Sequence, residues 1–146
     1  MAKLKTWWRA ARPRTVLLSF SGILLGGLLS FAEDHDSSHW VIVFCFLTAM
    51  SLQILSNLAN DYGDYKKGVD NAHRAGPERT LQSGALTERQ MRIGISVTAL
   101  LAVVFGLLLI FVFARLTWQE LVVFVALGIA AVLSALFYTL GKRPYG

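Results

Sequence analysis

The sequence predicts an all-α fold, a polytopic bundle of transmembrane helices. Apolar residues make up 55% of the 146 residues, which is more than the roughly 45–50% found in soluble domains. They are concentrated in four stretches that contain no Asp, Glu, Lys or Arg. A helix needs about 20 residues to cross the hydrocarbon core of a bilayer, and each stretch is close to that length. We therefore expect four membrane spans.

The predicted spans and the polar segment between two of them follow the order of the chain. The spans cover about residues 15–32, 40–60, 92–114 and 119–141, and a polar loop covers 61–91. A signal peptide is the alternative for the first span, but no small-residue cleavage site follows before Glu33. A loop as long as 61–91 is uncommon in a compact bundle unless it is a lid, a binding loop or a disordered linker. We expect the function to lie there.

Local signals predict how the spans begin and pack. Thr87 followed by Gln90 resembles a capping box that begins the third helix. Tryptophans near the span ends are typical of anchors in the headgroup layer, and they stand at Trp7, Trp8, Trp40 and Trp118. Small residues within spans allow helix backbones to approach closely, and they include Gly22, Gly26, Gly27, Gly94, Gly106 and Gly128.

The basic residues predict the orientation of the chain in the membrane. Of the 14 Lys and Arg residues, five precede the first span, six lie between Asp61 and Arg92, and two follow the fourth span. The positive-inside rule therefore places the N-terminus, the loop and the C-terminus in the cytoplasm. The net charge of +5 does not favour a nucleic-acid partner, because basic residues at span ends face anionic lipid headgroups.

A stripe of polar residues ends the second predicted span. Helical spacing places five of them on one face: Gln53, Asn57, Asn60, Asp61 and Asp64. Exposure of such a stripe to lipid would cost free energy, so we expect it to face the bundle interior or a water-filled cavity. Polar groups at that depth indicate a functional site.

The carboxylates of this region predict a magnesium site. Asp61, Asp64 and Asp70 lie close together, and no Cys or His is arranged as a soft ligand. Mg²⁺ prefers oxygen ligands, and it commonly takes one or two carboxylates from protein and further oxygens from substrate phosphates. The alternating acidic pattern of an EF-hand is not met. A diphosphate is the expected partner of the metal.

Basic residues follow these carboxylates along the loop: Lys66, Lys67, Arg74 and Arg79. Their cations are suited to pair with diphosphate oxygens. The alternative is an ordinary charged cytoplasmic loop that obeys the positive-inside rule, and for the lysines the sequence does not decide between the two.

Several motifs resemble those of the UbiA-type intramembrane prenyltransferases. The core of the resemblance is Asn60-Asp61-Tyr62-Gly63-Asp64, with Asp70 after Gly68 and the run Arg79-Thr80-Leu81-Gln82-Ser83-Gly84 downstream. Further matches are Arg12-Pro13-Arg14-Thr15 at the first span, and Tyr138 with Lys142, which resembles the Tyr-x-x-x-Lys element of the family. The stretch from Asn60 through Gly84 is similar to the branch that prenylates 1,4-dihydroxy-2-naphthoate in menaquinone synthesis. Gly68 departs from the pattern, because many relatives carry an Asp there.

The resemblance implies a bundle of about nine spans with two Asp-rich motifs. Residues 1–146 would be the N-terminal portion of this one domain, with four of the spans and the first motif. We accordingly expect the 146-residue chain to be inactive alone. The resemblance also implies a multi-pass protein of the bacterial cytoplasmic (inner) membrane with a cytoplasmic N-terminus.

The activity implied by the resemblance is transfer of a polyprenyl group from an isoprenyl diphosphate to 1,4-dihydroxy-2-naphthoate. The reaction would release CO₂, give demethylmenaquinone and depend on Mg²⁺. Metal ligands would be Asp61, Asp64 and Asp70, and the first two would be catalytic together with Tyr138 and Lys142. Diphosphate would be bound by Asn57, Asn60, Lys67, Arg74, Arg79 and Arg12.

Other functions fit parts of the same pattern. Another aromatic acceptor, such as 4-hydroxybenzoate or haem, would need the same diphosphate site. A membrane transporter or ion-binding module would use the polar stripe to line a permeation path. The basic residues beside the stripe favour diphosphate chemistry over transport, because a permeation path does not need them.

Overall fold

The computed structural model describes residues 2–32, 38–68, 79–113 and 116–140. All regular structure in these residues is helical, which confirms the all-α prediction. The helices are α1 (Ala2–Ala11), α2 (Pro13–Ala32), α3 (His39–Lys66), α4 (Glu88–Leu108) and α5 (Trp118–Phe137), and α4 continues as a π-helix over Leu109–Phe113. Four helical segments are long and apolar enough to cross a membrane: Pro13–Ala32, His39–Lys66, Glu88–Phe111 and Trp118–Phe137.

The second span extends beyond its predicted end. α3 continues past residue 60 to Lys66, so Asp61 and Asp64 belong to the helix and not to the loop. The charged residues ended the apolar pattern that set the prediction, but their side chains are paired with neighbouring segments, which compensates for their low helix propensity. The backbone N–H groups of Lys67 and Gly68 donate to α3 carbonyls, and Gly68 has a φ of 67° that ends the helix.

The capping box at the third span is confirmed. Thr87 accepts a hydrogen bond from the Gln90 backbone N–H, and the Gln90 side chain accepts one from the Thr87 N–H. α4 consequently begins at Glu88, earlier than the predicted residue 92. A second capping box, between Thr117 and Glu120, begins α5. The sequence reasoning missed this capping box, although the Thr-x-x-Glu spacing of Thr117 and Glu120 could have predicted it.

The short helix α1 lies outside the predicted spans, because it carries three basic residues and is too short to cross a bilayer. Its Trp7 packs against α4, where a Cβ added to Gly94 would lie 2.7 Å from the indole ring. Trp7 thus packs between helices, and its predicted role as an interfacial anchor stays a prediction. The other three tryptophans are between 58% and 76% exposed, as expected of anchors.

α3 is the central helix of the described bundle. Its Leu55 and Leu58 are buried against Met91 and Ile95 of α4, with Ala10 of α1 and two leucines of the connection before α4 completing the cluster. α3 contacts α1, α2, α4 and α5. The buried core thus lies toward the same end of α3 as the polar residues.

The glycines in the spans divide into two groups. Gly27 approaches Ile42, and Gly94 approaches Trp7, so closely that an added Cβ would meet their side chains within 3 Å. Gly106 has an ordinary contact with Thr48. The predicted role in close packing is confirmed for Gly27 and Gly94. Within the described residues an added Cβ would have no neighbour within 4 Å at Gly22, Gly26 or Gly128, so their packing role stays a prediction.

Candidate functional site

The polar stripe lies at the carboxyl end of α3 and faces the other helices. Asn57 and Asp61 are each only 3% exposed. Gln53, Asn60 and Asp64 are half-buried. The helical spacing of the sequence therefore placed these residues correctly on an inward face.

Two arginines from distant parts of the chain pair with the two carboxylates of α3. The Arg12 guanidinium donates to Asp61 Oδ1. Arg79 Nη1 lies 3.2 Å from Asp61 Oδ1 and 2.5 Å from Asp64 Oδ2. One cationic nitrogen thus contacts both carboxylates. The Asp61 side chain is 4% exposed, so loss of its partners would leave a buried charge uncompensated.

Arg12 occupies a strained backbone position between α1 and α2. Its φ is 53°, a left-handed conformation that non-glycine residues rarely adopt. Its carbonyl accepts hydrogen bonds from the Thr15 backbone N–H and the Thr15 hydroxyl, at 3.0 and 2.9 Å, which supports the first turn of α2. Pro13 is well suited to that first turn. At this junction between α1 and α2 the Arg12 guanidinium pairs with Asp61, and strain of this kind clusters at functional sites.

Asn57 connects α3 with the junction of α1 and α2. Its Nδ2 donates to the Ala11 carbonyl at 2.8 Å and to Thr15 Oγ1 at 2.9 Å. One turn earlier on α3, Gln53 accepts a hydrogen bond from Ser19 at 2.9 Å. These bonds fix α2 against α3 beside Asp61. The predicted contact of Asn57 with diphosphate stays a prediction.

The segment after α5 also contributes to the site. Thr139 is 4% exposed, and its hydroxyl donates to Asn60 Oδ1. A Cβ added to Gly63 would lie 2.7 Å from the Thr139 Cβ and 2.8 Å from the Thr139 carbonyl oxygen. Sequence reasoning missed Thr139, although it stands directly after Tyr138 in the Tyr-x-x-x-Lys element.

Two cavities meet at Tyr138. The first, of about 280 Å³, is lined by Arg12, Asn60, Asp64, Arg79, Tyr138 and Thr139. The second, of about 410 Å³, has polar lining from Ser19, Gln53, Ser56, Ser134 and Tyr138 and apolar lining from four further residues. A separate apolar groove of about 230 Å³ lies between α3, α4 and α5 and includes Leu52, Ile110 and Phe124. The charged cavity, the mixed cavity and the apolar groove together offer three kinds of surface, which could bind different parts of one ligand or two ligands.

The remaining predicted site residues are placed as follows. Lys67 is exposed just beyond α3. Its neighbour Lys66 pairs with Glu88 at 2.7 Å, away from the carboxylate pair. Asp70, Arg74 and Lys142 lie outside the described residues.

The described residues contain no group of three or more His, Cys, Asp or Glu side chains arranged to hold a metal. Two carboxylates do converge, because Arg79 Nη1 contacts Asp61 and Asp64 together. A single cation can therefore reach oxygens of both residues. Two protein carboxylates are what Mg²⁺ commonly accepts when phosphate and water complete its shell. The donor set is consistent with magnesium.

Comparison with known proteins relates this chain to one family. The model described as UbiA prenyltransferase family matches residues 19–145. A protein of Haemophilus influenzae named 1,4-dihydroxy-2-naphthoate octaprenyltransferase is 40% identical, over 99% of this chain and 47% of its own length. Proteins of the same name from Escherichia coli and Mycobacterium tuberculosis are 38% and 31% identical, each over 100% of this chain and 47% of its own length.

The chain thus spans about half the length of these relatives. No solved structure gives a significant match.

Proposed function

The chain belongs to the UbiA prenyltransferase family, and on this basis we propose that the protein transfers a polyprenyl group from an isoprenyl diphosphate to 1,4-dihydroxy-2-naphthoate. The reaction releases diphosphate and CO₂ and gives demethylmenaquinol, the reduced form of demethylmenaquinone; conversion to the quinone is a separate two-electron oxidation. Relatives of that name match the whole length of the chain, at identities up to 40%. The observation that carries the proposal is the convergence of two carboxylates and two guanidinium groups on one cavity, at the end of an otherwise apolar bundle.

Asp61 and Asp64 are the proposed ligands of Mg²⁺, with Asp70 as a further candidate. When bound, the ion would neutralise negative charge on the diphosphate as it departs. Asp61 is held in place by Arg12, and the two carboxylates share Arg79. This arrangement fixes the direction of the carboxylates before any ligand enters.

Arg12 and Arg79 are proposed to pair with diphosphate oxygens. Both guanidinium groups line the charged cavity together with Asn60. A guanidinium can donate two parallel hydrogen bonds to a phosphate, which orients the group as well as neutralising it. Donors fixed in advance stabilise the charge that develops on the leaving group. Lys67, Arg74 and Asn57 are additional candidates for this binding.

The aromatic acceptor is proposed to bind on the Tyr138 side of the site, with Lys142 as a further contributor. Tyr138 lines both the charged cavity and the mixed cavity beside it. The C–O bond of the prenyl diphosphate breaks, the ring carbon that carries the carboxylate attacks the allylic cation, and loss of CO₂ restores the aromatic ring. The apolar groove suits the prenyl tail, and shelter from water protects the cation from hydrolysis.

We propose that residues 1–146 belong to one transmembrane domain in the bacterial cytoplasmic membrane. The basic residues at the α1 end, in the connection before α4 and after α5 support a cytoplasmic location of the charged cavity. A soluble cytoplasmic acceptor and the diphosphate group of the donor would then reach the carboxylates from the same side.

The proposal is tested with the full-length protein in nanodiscs, supplied with Mg²⁺, an isoprenyl diphosphate and one of three acceptors. We expect a prenylated product with 1,4-dihydroxy-2-naphthoate and none with 4-hydroxybenzoate or haem. Asp64→Asn is expected to lower kcat by about 100-fold or more. Glu88→Gln, which alters a carboxylate outside the cavity, is the matched control and should retain activity.

Normal turnover and normal magnesium dependence in the Asp64→Asn variant would show that this carboxylate is wrongly assigned. A wild-type protein that moves ions across liposome membranes but never consumes the isoprenyl diphosphate would refute the enzymatic proposal and favour a transporter.

A further inference from the structure

Thr139 makes a hydrogen bond that differs from those of Thr48 and Thr98. The hydroxyls of Thr48 and Thr98 donate to carbonyls one turn back in their own helices, at 2.7 and 2.8 Å. This is the common arrangement for threonine in a helix. The Thr139 hydroxyl instead donates across the helix interface to Asn60 Oδ1 on α3. It therefore links the end of α5 to the polar face of α3.

Gly63 is what allows this contact. It lies on α3 one turn after Asn60, and an added Cβ would come within 2.8 Å of the Thr139 side chain and backbone. No shift of a flexible side chain would relieve such a clash, because one of the contacted atoms is a backbone oxygen. The fit of Thr139 on Gly63 sets the position of the hydroxyl relative to Asn60.

The direction of the hydrogen bond decides what Asn60 offers to the cavity. An asparagine amide has an acceptor oxygen on one side and a donor NH₂ on the other. Since Oδ1 accepts from Thr139, the oxygen faces α5 and Nδ2 faces away from it. Within the described part of the chain, Nδ2 donates to no other group. Asn60 lines the charged cavity beside Arg12 and Arg79, where an anion would accept from it.

We propose that Thr139 is a positioning residue, which fixes the Asn60 amide so that its nitrogen donates to an oxygen of the bound diphosphate. This inference rests on the proposed function, because it requires a diphosphate in the charged cavity. Thr139 touches no substrate in this role and acts through Asn60. It also joins the acceptor side of the site, which Tyr138 lines, to the diphosphate side.

The first test compares Thr139→Val with Thr139→Ser in the full-length protein. Valine keeps the shape and removes the donor, whereas serine keeps the donor. We expect the valine variant to raise KM for the isoprenyl diphosphate about tenfold, which is the effect of one lost hydrogen bond to a charged partner. KM for the aromatic acceptor should change less than about twofold. Serine should restore both constants to near the wild-type values.

Thr98→Val is the matched control, because it removes a hydroxyl bonded within its own helix. It should leave both KM values unchanged. Melting temperatures of all variants are measured in the same nanodiscs, and Thr139→Ala replaces the valine variant if valine prevents folding. A purely structural role for Thr139 would lower the melting temperature, raise both KM values together and leave serine without a specific advantage. That result would overturn the inference.

The second test asks whether Thr139 acts through Asn60. Asn60→Ala alone should raise KM for the isoprenyl diphosphate, and adding Thr139→Val to it should raise KM no further. A double variant whose effect is the product of the two single effects would show that the residues act independently, and the inference would be wrong. Failure of the proposed function is recognised separately, because the wild-type protein would then transfer no prenyl group. In that case the positioning role of Thr139 would be wrong as well.

Discussion

α3 and α5 are both apolar helices of membrane-spanning length, yet they are held in the bundle in different ways. α3 has buried residues from Ser51 to Gly63 and contacts every other α-helix of the described chain. α5 is the more apolar of the two, but none of its residues from Trp118 to Phe137 is buried. The buried residue at its end is Thr139, which follows the helix.

This difference shows what determines helix association in an apolar solvent. Lipid tails are as apolar as leucine, so apolar surface alone gives little preference for a neighbouring helix. Small and polar residues decide instead, and α3 carries Asn57, Asp61 and Gly63 at its interfaces. Within the described residues α5 carries no buried group of this kind. Val132, Ala135 and Leu136 in its carboxyl-terminal half pack against the core cluster, and Thr139 follows them at its end.

The largest effect is expected at the ion pairs of α3. Arg79→Met leaves Asp61 and Asp64 without their shared cation, and breaking a buried pair typically costs about 3–5 kcal/mol. Chemical unfolding of the full-length protein should show this loss, together with loss of prenyl transfer. Lys66→Met removes an exposed pair on the same helix and should change stability little. Equal free energies of unfolding for the two variants would show that the buried ion pairs of α3 contribute no more to stability than its exposed pair.

A smaller effect is expected from a pair of glycines, one on each helix. Gly63→Ala introduces a Cβ 2.8 Å from the Thr139 carbonyl oxygen, and overpacking of this kind typically costs about 1–3 kcal/mol. Gly128→Ala on α5 adds a Cβ with no neighbour within 4 Å, and it should be neutral or stabilising because alanine favours helix. The melting temperatures of the two variants measure the difference. If both fell equally, the end of α5 would not be fixed by its contact with Gly63.

The smallest effect is expected at the capping box of α5. Thr117→Ala removes the acceptor for the Glu120 backbone N–H, and amide hydrogen exchange in the first turn of α5 should become roughly fivefold faster. The same change at Thr87 should affect α4 less, because Met91 is fully buried just after its first turn. Equal acceleration at the two helices would show that burial near the start of α4 adds nothing to its capping box.

The sequence predicted the features of this bundle that depend on local patterns. Charge-free stretches located all four spans, because a bilayer-spanning helix must be apolar over most of its length. The three- and four-residue spacing of Asn57, Asp61 and Asp64 predicted their common face correctly. The capping box at Thr87 was also found, since its hydrogen bonds join residues three apart.

The contacts between distant segments could not be read from these patterns. Arg12 pairs with Asp61 across 49 positions, and Thr139 bonds to Asn60 across 79. Such contacts depend on how the helices pack, which hydropathy does not specify. The second span was predicted to end at residue 60 for a related reason. The charges that follow resemble a loop until their partners, Arg12 before α2 and Arg79 before α4, are known.

The continuation of α3 through Lys66 determines the depth at which a substrate would be held. From Leu58 to Lys66 the helix rises about 12 Å. In a chain that crosses the bilayer as proposed, its carboxylates would stand near the phosphate layer of the lipids while the rest of α3 would lie among acyl chains. An amphiphile of the proposed kind would keep its tail in the bilayer and its charged head at that layer throughout the reaction. Its encounter with the enzyme would then be a two-dimensional search by lateral diffusion, and the product could return to the quinone pool sideways without entering water.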